Sequence, residues 1–135
     1  MNIRIISFTD RGCGVSQTLA AALSAHTVQQ YAKADGFLPY ASVRTFAEES
    51  MAQADAVVFI GAAGIAVRAI APFVRSKDTD PAVLVIDENG NFVISLLSGH
   101  IGGANAWTRH LADILHAIPV ITTATDGRGV FAADS

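Results

Sequence analysis

One short segment constrains the fold more than any other. Residues 56–60 read Ala-Val-Val-Phe-Ile and run directly into a Gly-Ala-Ala-Gly loop at 61–64. A strand in which every side chain is apolar is typical of a parallel sheet whose two faces are both covered by helices. The apolar residues between 65 and 70 have helical spacing, which predicts a helix directly after the glycines. This strand–loop–helix unit favours an α/β fold.

The rest of the chain continues the alternation of strands and helices. An Asn-Gly pair at 89–90 predicts a tight antiparallel hairpin. We therefore predict a three-layer α/β fold with a mostly parallel sheet and one antiparallel hairpin strand, 82–87 against 92–97. The predicted strands are 3–8, 27–31, 56–60, 82–87, 92–97 and 119–122, and the predicted helices are 15–23, 43–51, 65–70 and 104–115.

The hairpin raises the question of which of its strands opposes the rest of the sheet. We predict that it is the first, 82–87, which places the loop Ser98–Asn105 at the same sheet edge as residues 61–64. The chain must then return past the helix in residues 75–81, which span up to about 23 Å when extended. Finding the two loops at opposite edges would contradict this arrangement.

Composition narrows the class of protein. The chain has 135 residues, 51% of them hydrophobic, and a net charge of −3. These values predict a single α/β domain over 1–135 and argue against disorder and against a nucleic-acid partner. A single cysteine, Cys13, allows no internal disulfide and fits a reducing compartment. We see no signal-peptide pattern and no apolar run long enough for a membrane span, so we expect a cytoplasmic protein without a membrane partner.

Loops at the carboxyl ends of strands are where open α/β sheets bind ligands. The loop at 61–64 is either a tight packing turn or a place where Gly61 and Gly64 let a helix N-terminus approach an anion. Arg68, one turn later, either reaches back to that anion or is an ordinary surface residue. Arg11, after the first strand, either pairs with a carboxylate or is solvated.

The loop Ser98–Asn105 carries more chemistry. His100 titrates near neutral pH and is a candidate general base or acid, or else a residue that caps the next helix or bonds a carbonyl. Ser98 is a cap or an orienting group rather than a nucleophile, because Leu-Leu-Ser-Gly-His is not a nucleophile elbow. In a third loop, 122–127, Asp126 either orients His100, binds a polar ligand together with the loop hydroxyls, or belongs to an ordinary turn at the end of a strand. We predict no metal site, since His110 and His116 lie on different helix faces.

Several blocks together resemble a known family. These are residues 59–72, 80–88, 97–105 (Leu-Ser-Gly-His-Ile-Gly-Gly-Ala-Asn) and 123–126. They are similar, in the same order, to the N-terminal domain of cobalamin biosynthesis protein G. That family contains the cobalt-precorrin-5A hydrolases of the anaerobic vitamin B12 pathway, and the resemblance is close over residues 50–130.

The resemblance implies a reaction and its partners. The family opens a δ-lactone on a ring-contracted corrinoid and expels acetaldehyde. The implied substrate is a tetrapyrrole-derived corrinoid, and no separate cofactor is implied because cobalt enters as part of the substrate. Family members carry a middle and a C-terminal domain, so this chain is expected to be the N-terminal part of a longer protein whose missing domains are its partners.

We assign hypothetical roles to the loop residues on this basis. His100 would activate water, and the N–H groups of Gly102 and Gly103 would hold the developing oxyanion. Arg11 and Arg68 would bind the substrate's carboxylate arms. The complete predicted set is His100, Ser98 and Asp126 as catalytic residues and Gly61, Gly64, Arg68, Gly102, Gly103, Asn105 and Arg11 as substrate-binding residues.

Two other classes of protein stay open. One is a non-catalytic domain that binds or presents the corrinoid to a site on the missing domains. The other is a flavodoxin-like nucleotide or flavin module. The loop after the first strand lacks the hydroxyl-rich phosphate pattern expected for a flavin, which disfavours this module.

Overall fold

The computed structural model describes residues 1–123, which form one mixed sheet between two helix layers. The elements in chain order are β1 (Asn2–Ser7), α1 (Asp10–Ala22), β2 (Thr27–Tyr31), α2 (Val43–Gln53), β3 (Ala56–Ile60), α3 (Ala63–Ile70), a 3-10 turn (Ala71–Phe73), β4 (Ala82–Ile86), β5 (Phe92–Leu97), α4 (Ala104–Leu115) and β6 (Ile118–Val120). Strand β3 has the bounds predicted from its apolar run.

The strand order is β2-β1-β3-β4-β5-β6. Strands β1 to β4 all run in one direction, and β5 pairs antiparallel with β4. Strand β6 pairs parallel with β5, so both run against the other four. Residues 87–91 connect the two hairpin strands, and of the Asn-Gly pair only Gly90 has a positive φ, 71°, so the turn is longer than the tight two-residue turn that the pair predicts. The prediction of a mostly parallel α/β sheet with the hairpin 82–87 against 92–97 is confirmed.

Alternate side chains of the strands enter two cores, one on each face of the sheet. Helices α1 and α4 cover the face that includes Ile5 and Val58, and α2 and α3 cover the face that includes Ile6 and Phe59. All side chains of β3 are buried, as its sequence predicts. Full burial of one such aliphatic or aromatic side chain stabilises the fold by about 1.5–3 kcal/mol relative to exposure.

The prediction that 82–87 is the strand that opposes the rest is wrong. Strand β4 pairs parallel with β3, because α3 itself returns the chain to the edge where β4 begins. The segment after α3 does not extend but closes on itself. The backbone N–H of Arg75 donates to both carboxylate oxygens of Asp80, at 3.1 and 3.0 Å, and the N–H of Asp80 donates to the carbonyl of Ser76 at 2.9 Å. Residues 61–64 and 98–105 therefore lie at opposite edges of the sheet.

Helix α1 begins earlier than its apolar spacing predicts. Thr9 accepts a hydrogen bond from the N–H of Gly12 at 3.0 Å and so caps the helix at Asp10. The glycines of this segment suggested a loop, but Gly12 lies inside the helix. A side chain would be crowded at this position, because a Cβ there would sit 3.3 Å from the side chain of Ile60. None of the helices within residues 1–123 is long and apolar enough to cross a membrane.

Candidate functional site

The predicted site residues fall into two groups at the two ends of the strands. We call the edge at which α3 begins the α3 edge; it holds Arg11, Arg68 and the loop 61–64. We call the edge at which α4 begins the α4 edge; it holds the loop 98–105. Strand β3 has 5 residues, and a rise of about 3.3 Å per residue separates the two edges by roughly 16 Å. Because helices cover both faces between them, the loops do not converge on one compact site.

The loop at the α4 edge is closed by its own backbone. The N–H groups of Ala104 and Asn105 donate to the carbonyls of Ser98 and Gly99, at 3.1 and 3.0 Å. The N–H of Gly103 donates to the carbonyl of His100 at 3.3 Å. The first turn of α4 is thus capped by loop carbonyls. Gly103 would have to give up its bond before it could hold an oxyanion in the predicted way.

Ser98 lies beneath this loop. The residue is 3% exposed and has a φ of 62°, an uncommon conformation for a residue with a side chain. Its hydroxyl is buried and has no hydrogen-bond partner in the described part of the chain. The sequence suggested that Ser98 caps α4 with its side chain. In the structure the backbone carbonyl of Ser98 caps the helix instead, and the hydroxyl does not. A nucleophilic role would require the loop to open.

Gly102 allows the loop to close over Ser98. A Cβ on Gly102 would lie 2.5 Å from the Cβ of Ser98, 3.0 Å from its carbonyl oxygen and 3.2 Å from the carbonyl oxygen of Asp80. Two of these three neighbours are backbone atoms and cannot swing away. The glycine is therefore required for close packing, a reason that the sequence does not reveal.

Asn105 holds the loop from the side of the helix. Its Oδ1 accepts a hydrogen bond from the hydroxyl of Ser95, and its Nδ2 donates to the hydroxyl oxygen of Thr123, both at 2.8 Å. The residue is 7% exposed, and a Cβ on Gly99 would come within 2.9 Å of its Oδ1. Asn105 joins β5, the loop and the segment after β6. Its predicted contact with substrate would require these bonds to break. Ser95 was missed because it reads as an ordinary strand residue.

His100 is exposed at the tip of the loop, next to Ile101. Its backbone carbonyl, rather than its imidazole, takes part in capping α4. The predicted partner Asp126 lies outside the described residues, as do residues 124–127 of the third predicted loop. Thr123, the last described residue, lies at this edge through its bond to Asn105.

A cleft opens at the α4 edge, and Ile101, the residue after His100, lines it. It has a volume of about 410 Å³, within the range of small-molecule sites. Sequence reasoning missed it because Trp107 reads as part of the apolar face of α4 and Met1 as a chain terminus. The cleft is lined by Met1, Ile101, Gly102, Gly103, Ala106, Trp107 and His110.

The α3 edge keeps the features of an anion-binding helix start. Ala62 precedes α3 and provides no side-chain cap within the described structure. Arg68 reaches back over the first turn, with its Nη2 atom 3.3 Å from the place a Cβ on Gly64 would occupy. Arg11 is engaged by the hairpin connection instead, because its Nη1 donates a hydrogen bond to Oδ1 of Asn89 at 2.7 Å. Gly61 is explained by packing, because a Cβ there would lie 3.0 Å from the ring of Phe8.

Cys13 lies near this edge in a small cleft that it shares with Tyr40. Burial, together with the nearby carboxylate of Asp10, raises the pKa of the Cys13 thiol. The thiol is therefore protonated at neutral pH, which disfavours a nucleophilic role. Within residues 1–123, no three His, Cys, Asp or Glu side chains come together in a way that could hold a metal ion.

Comparison with known proteins identifies the family. Residues 45–126 match the model of the family described as cobalamin synthesis G N-terminal, and the chain belongs to this family. A cobalt-precorrin-5A hydrolase from Salmonella typhimurium is 46% identical over 136 residues, which cover 99% of this chain and 39% of the relative. A cobalt-precorrin-5A hydrolase from Priestia megaterium is 59% identical over 70 residues, covering 52% of this chain and 19% of the relative.

A solved structure supports the same family. It is that of a cobalamin biosynthesis protein G homologue from Sulfolobus solfataricus, with 33% sequence identity and a TM-score of 0.72. The match covers 94% of this chain and 38% of that one. This chain thus spans about two-fifths of the Salmonella relative and of the Sulfolobus homologue.

Proposed function

We propose that this chain is the N-terminal domain of a cobalt-precorrin-5A hydrolase. The enzyme would open the corrinoid δ-lactone and release acetaldehyde during anaerobic cobalamin biosynthesis. The observation that carries the proposal is the match of 99% of this chain, at 46% identity, to a relative that bears that name. The geometry adds an exposed histidine, His100, on a loop whose next residue, Ile101, lines an open cleft.

The α4 edge is the part of the domain that we assign to substrate. Lactone opening adds water across an ester: the water oxygen bonds to the carbonyl carbon, the ring C–O bond breaks, and a carboxylic acid and an alcohol result. Acetaldehyde would then leave when the carbon that bears this alcohol breaks its C–C bond to the macrocycle: the alcohol becomes the aldehyde carbonyl, and the macrocycle keeps the electron pair and takes up the hydroxyl proton. His100 would take a proton from the attacking water and return it to the leaving oxygen. The loop that carries it is closed by backbone hydrogen bonds to the carbonyls of Ser98, Gly99 and His100.

The α3 edge does not complete the same site. To reach both Arg68 and His100, one substrate molecule would have to pass across a layer of helices over roughly 16 Å of strand length. The predicted clamp of Arg11 and Arg68 on the substrate's carboxylates is therefore not part of this proposal. The Gly61–Gly64 loop would instead serve a separate contact with an anionic group.

The remaining parts of the proposal follow from the family. The chain would act in the cytoplasm together with the middle and C-terminal domains found in longer family members. No resident cofactor is needed, since cobalt arrives in the substrate. The corrinoid would be bound between this domain and the rest of the protein.

A second function is favoured by two observations at the α4 edge. The N–H of Gly103 is already bonded to the carbonyl of His100, and the hydroxyl of Ser98 is buried. Neither is ready to stabilise an oxyanion or to attack a carbonyl. A domain that only binds and presents the corrinoid would have no need of either group.

Acetaldehyde release from cobalt-precorrin-5A separates the two functions. The assay would compare this chain, the Salmonella relative, and both proteins with His100, or the residue of the relative that aligns with it, changed to alanine. If the domain is catalytic, turnover falls by about 10²–10⁴-fold when the general base is lost. If the domain only binds substrate, the alanine variant of the relative keeps its kcat and changes only its KM. Undiminished kcat and KM in that variant would exclude any role for His100.

A further inference from the structure

The α4-edge cleft is flanked by apolar side chains that are unusually exposed to solvent. Met1 and Ile101 flank it and are 66% and 59% exposed, the two highest values among large hydrophobic side chains in the described residues. Adjacent apolar side chains that are this exposed mark a place where something else binds. By contrast, Leu111 on the inner face of α4 is 1% exposed.

The floor of the cleft suits a flat ligand. Gly102 and Gly103 line the cleft without side chains, and a Cβ on Gly102 would point toward Ser98 and Asp80 in the protein rather than into the cleft. Trp107 forms one wall, and its ring meets the ring of His26 edge-on with the centroids 5.3 Å apart. A broad ring can therefore lie against the glycine backbone with its face or edge on the indole.

The charges at the rim suit a ligand with carboxylates. The α-ammonium group of Met1 lies 3.4 Å from Nδ1 of His26. His110 lines the opposite side, with its ring centroid 5.9 Å from that of Trp107. The imidazoles of His26 and His110 provide hydrogen-bond donors beside the apolar lining, which suits an apolar macrocycle with acidic arms.

We propose that this cleft binds the rim of the corrinoid macrocycle, with the ring over Ile101, Gly102 and Trp107. The inference rests on the proposed function, because it takes the ligand class from there. It adds a location: a ring in this cleft places its edge beside His100, the residue that precedes Ile101 in the loop. Gly61, Gly64 and Arg68 have no part in this contact.

The single tryptophan gives a direct readout, because the chain has Trp107 and no other. Cobyrinic acid, a cobalt corrinoid whose arms end in carboxylates, would be titrated into the protein while tryptophan fluorescence is recorded. N-acetyltryptophanamide would correct for absorption by the corrinoid. Calorimetry on the same samples would report binding at any location.

Two variants locate the site. Ile101→Glu introduces a charge into the cleft, and Ile118→Glu makes the same change at an equally exposed position on β6, where Ile118 is 58% exposed. We expect saturable quenching in the unchanged protein, a Kd at least tenfold weaker in Ile101→Glu, and a Kd within twofold of the original in Ile118→Glu. Circular dichroism would confirm that both variants are folded.

Other results would overturn the inference in distinguishable ways. Heat of binding without quenching of Trp107, or equal affinities in the two variants, would mean that the corrinoid binds elsewhere; the proposed function would stand and this location would be wrong. If the titration shows neither heat of binding nor quenching, then both the location and the assignment of the corrinoid as this domain's ligand are wrong.

Discussion

Replacing Gly102 by alanine should open the loop that carries His100. The new Cβ would lie 2.5 Å from the Cβ of Ser98 and 3.0 and 3.2 Å from two backbone oxygens. Contacts this short must be relieved by a backbone shift, and overpacking of this kind costs about 1–3 kcal/mol. At roughly 4 °C per kcal/mol for a domain of this size, Tm should fall by about 4–12 °C.

The matched control is Gly14→Ala. Gly14 lies inside α1, and nothing lies within 4 Å of the place where its Cβ would be. Alanine there should stabilise the protein by about 0.5–1 kcal/mol and raise Tm by a few degrees, because glycine is a poor helix residue. Thermal unfolding followed by circular dichroism measures both. If Gly102→Ala melts at or above the Tm of the original protein, the proposed close packing of the loop is wrong.

Three further changes test other parts of the structure. Asn105→Ala removes the bonds to Ser95 and Thr123, so denaturant unfolding should show a loss of about 1–3 kcal/mol; a loss below 0.5 kcal/mol would mean that these bonds do not hold the loop. Thr108→Val replaces a buried hydroxyl that has no partner within residues 1–123, so stability should be unchanged or higher; a clear loss would point to a missing bond. The pKa of Cys13 is raised by burial and by Asp10, so at pH 8 iodoacetamide should alkylate it more slowly than a free thiol. Asp10→Asn lowers that pKa and should speed the reaction; an unchanged rate would remove Asp10 as a cause.

The sequence predicted the elements and the layers well because burial dictates them. The run at 56–60 had to be a strand covered on both faces, and Asn89-Gly90 had to belong to a turn. The direction of β4 was predicted wrongly, because apolar periodicity does not show whether a connection extends or folds back. Helix α3 carries the chain back to the edge at which β4 begins, so β3 and β4 pair parallel, as the strands of a strand–helix–strand unit do.

The site was predicted in part for the same kind of reason. The glycines of Ser98–Asn105 correctly indicated a tightly bent loop, and Arg68 does reach back over Gly64. The sequence could not show that Asn105 is held by two hydroxyl groups or that Ser98 is buried, because both facts depend on contacts with other elements. The cleft beside Trp107 also escaped notice, since it forms between the chain start and α4.

Amide hydrogen exchange with and without cobyrinic acid tests most directly the claim that substrate meets this domain at the α4 edge. The account predicts slower exchange in peptides covering residues 99–107 when the corrinoid is present, and unchanged exchange in peptides covering 61–68. Protection confined to 61–68 would place the ligand at the α3 edge and contradict the account.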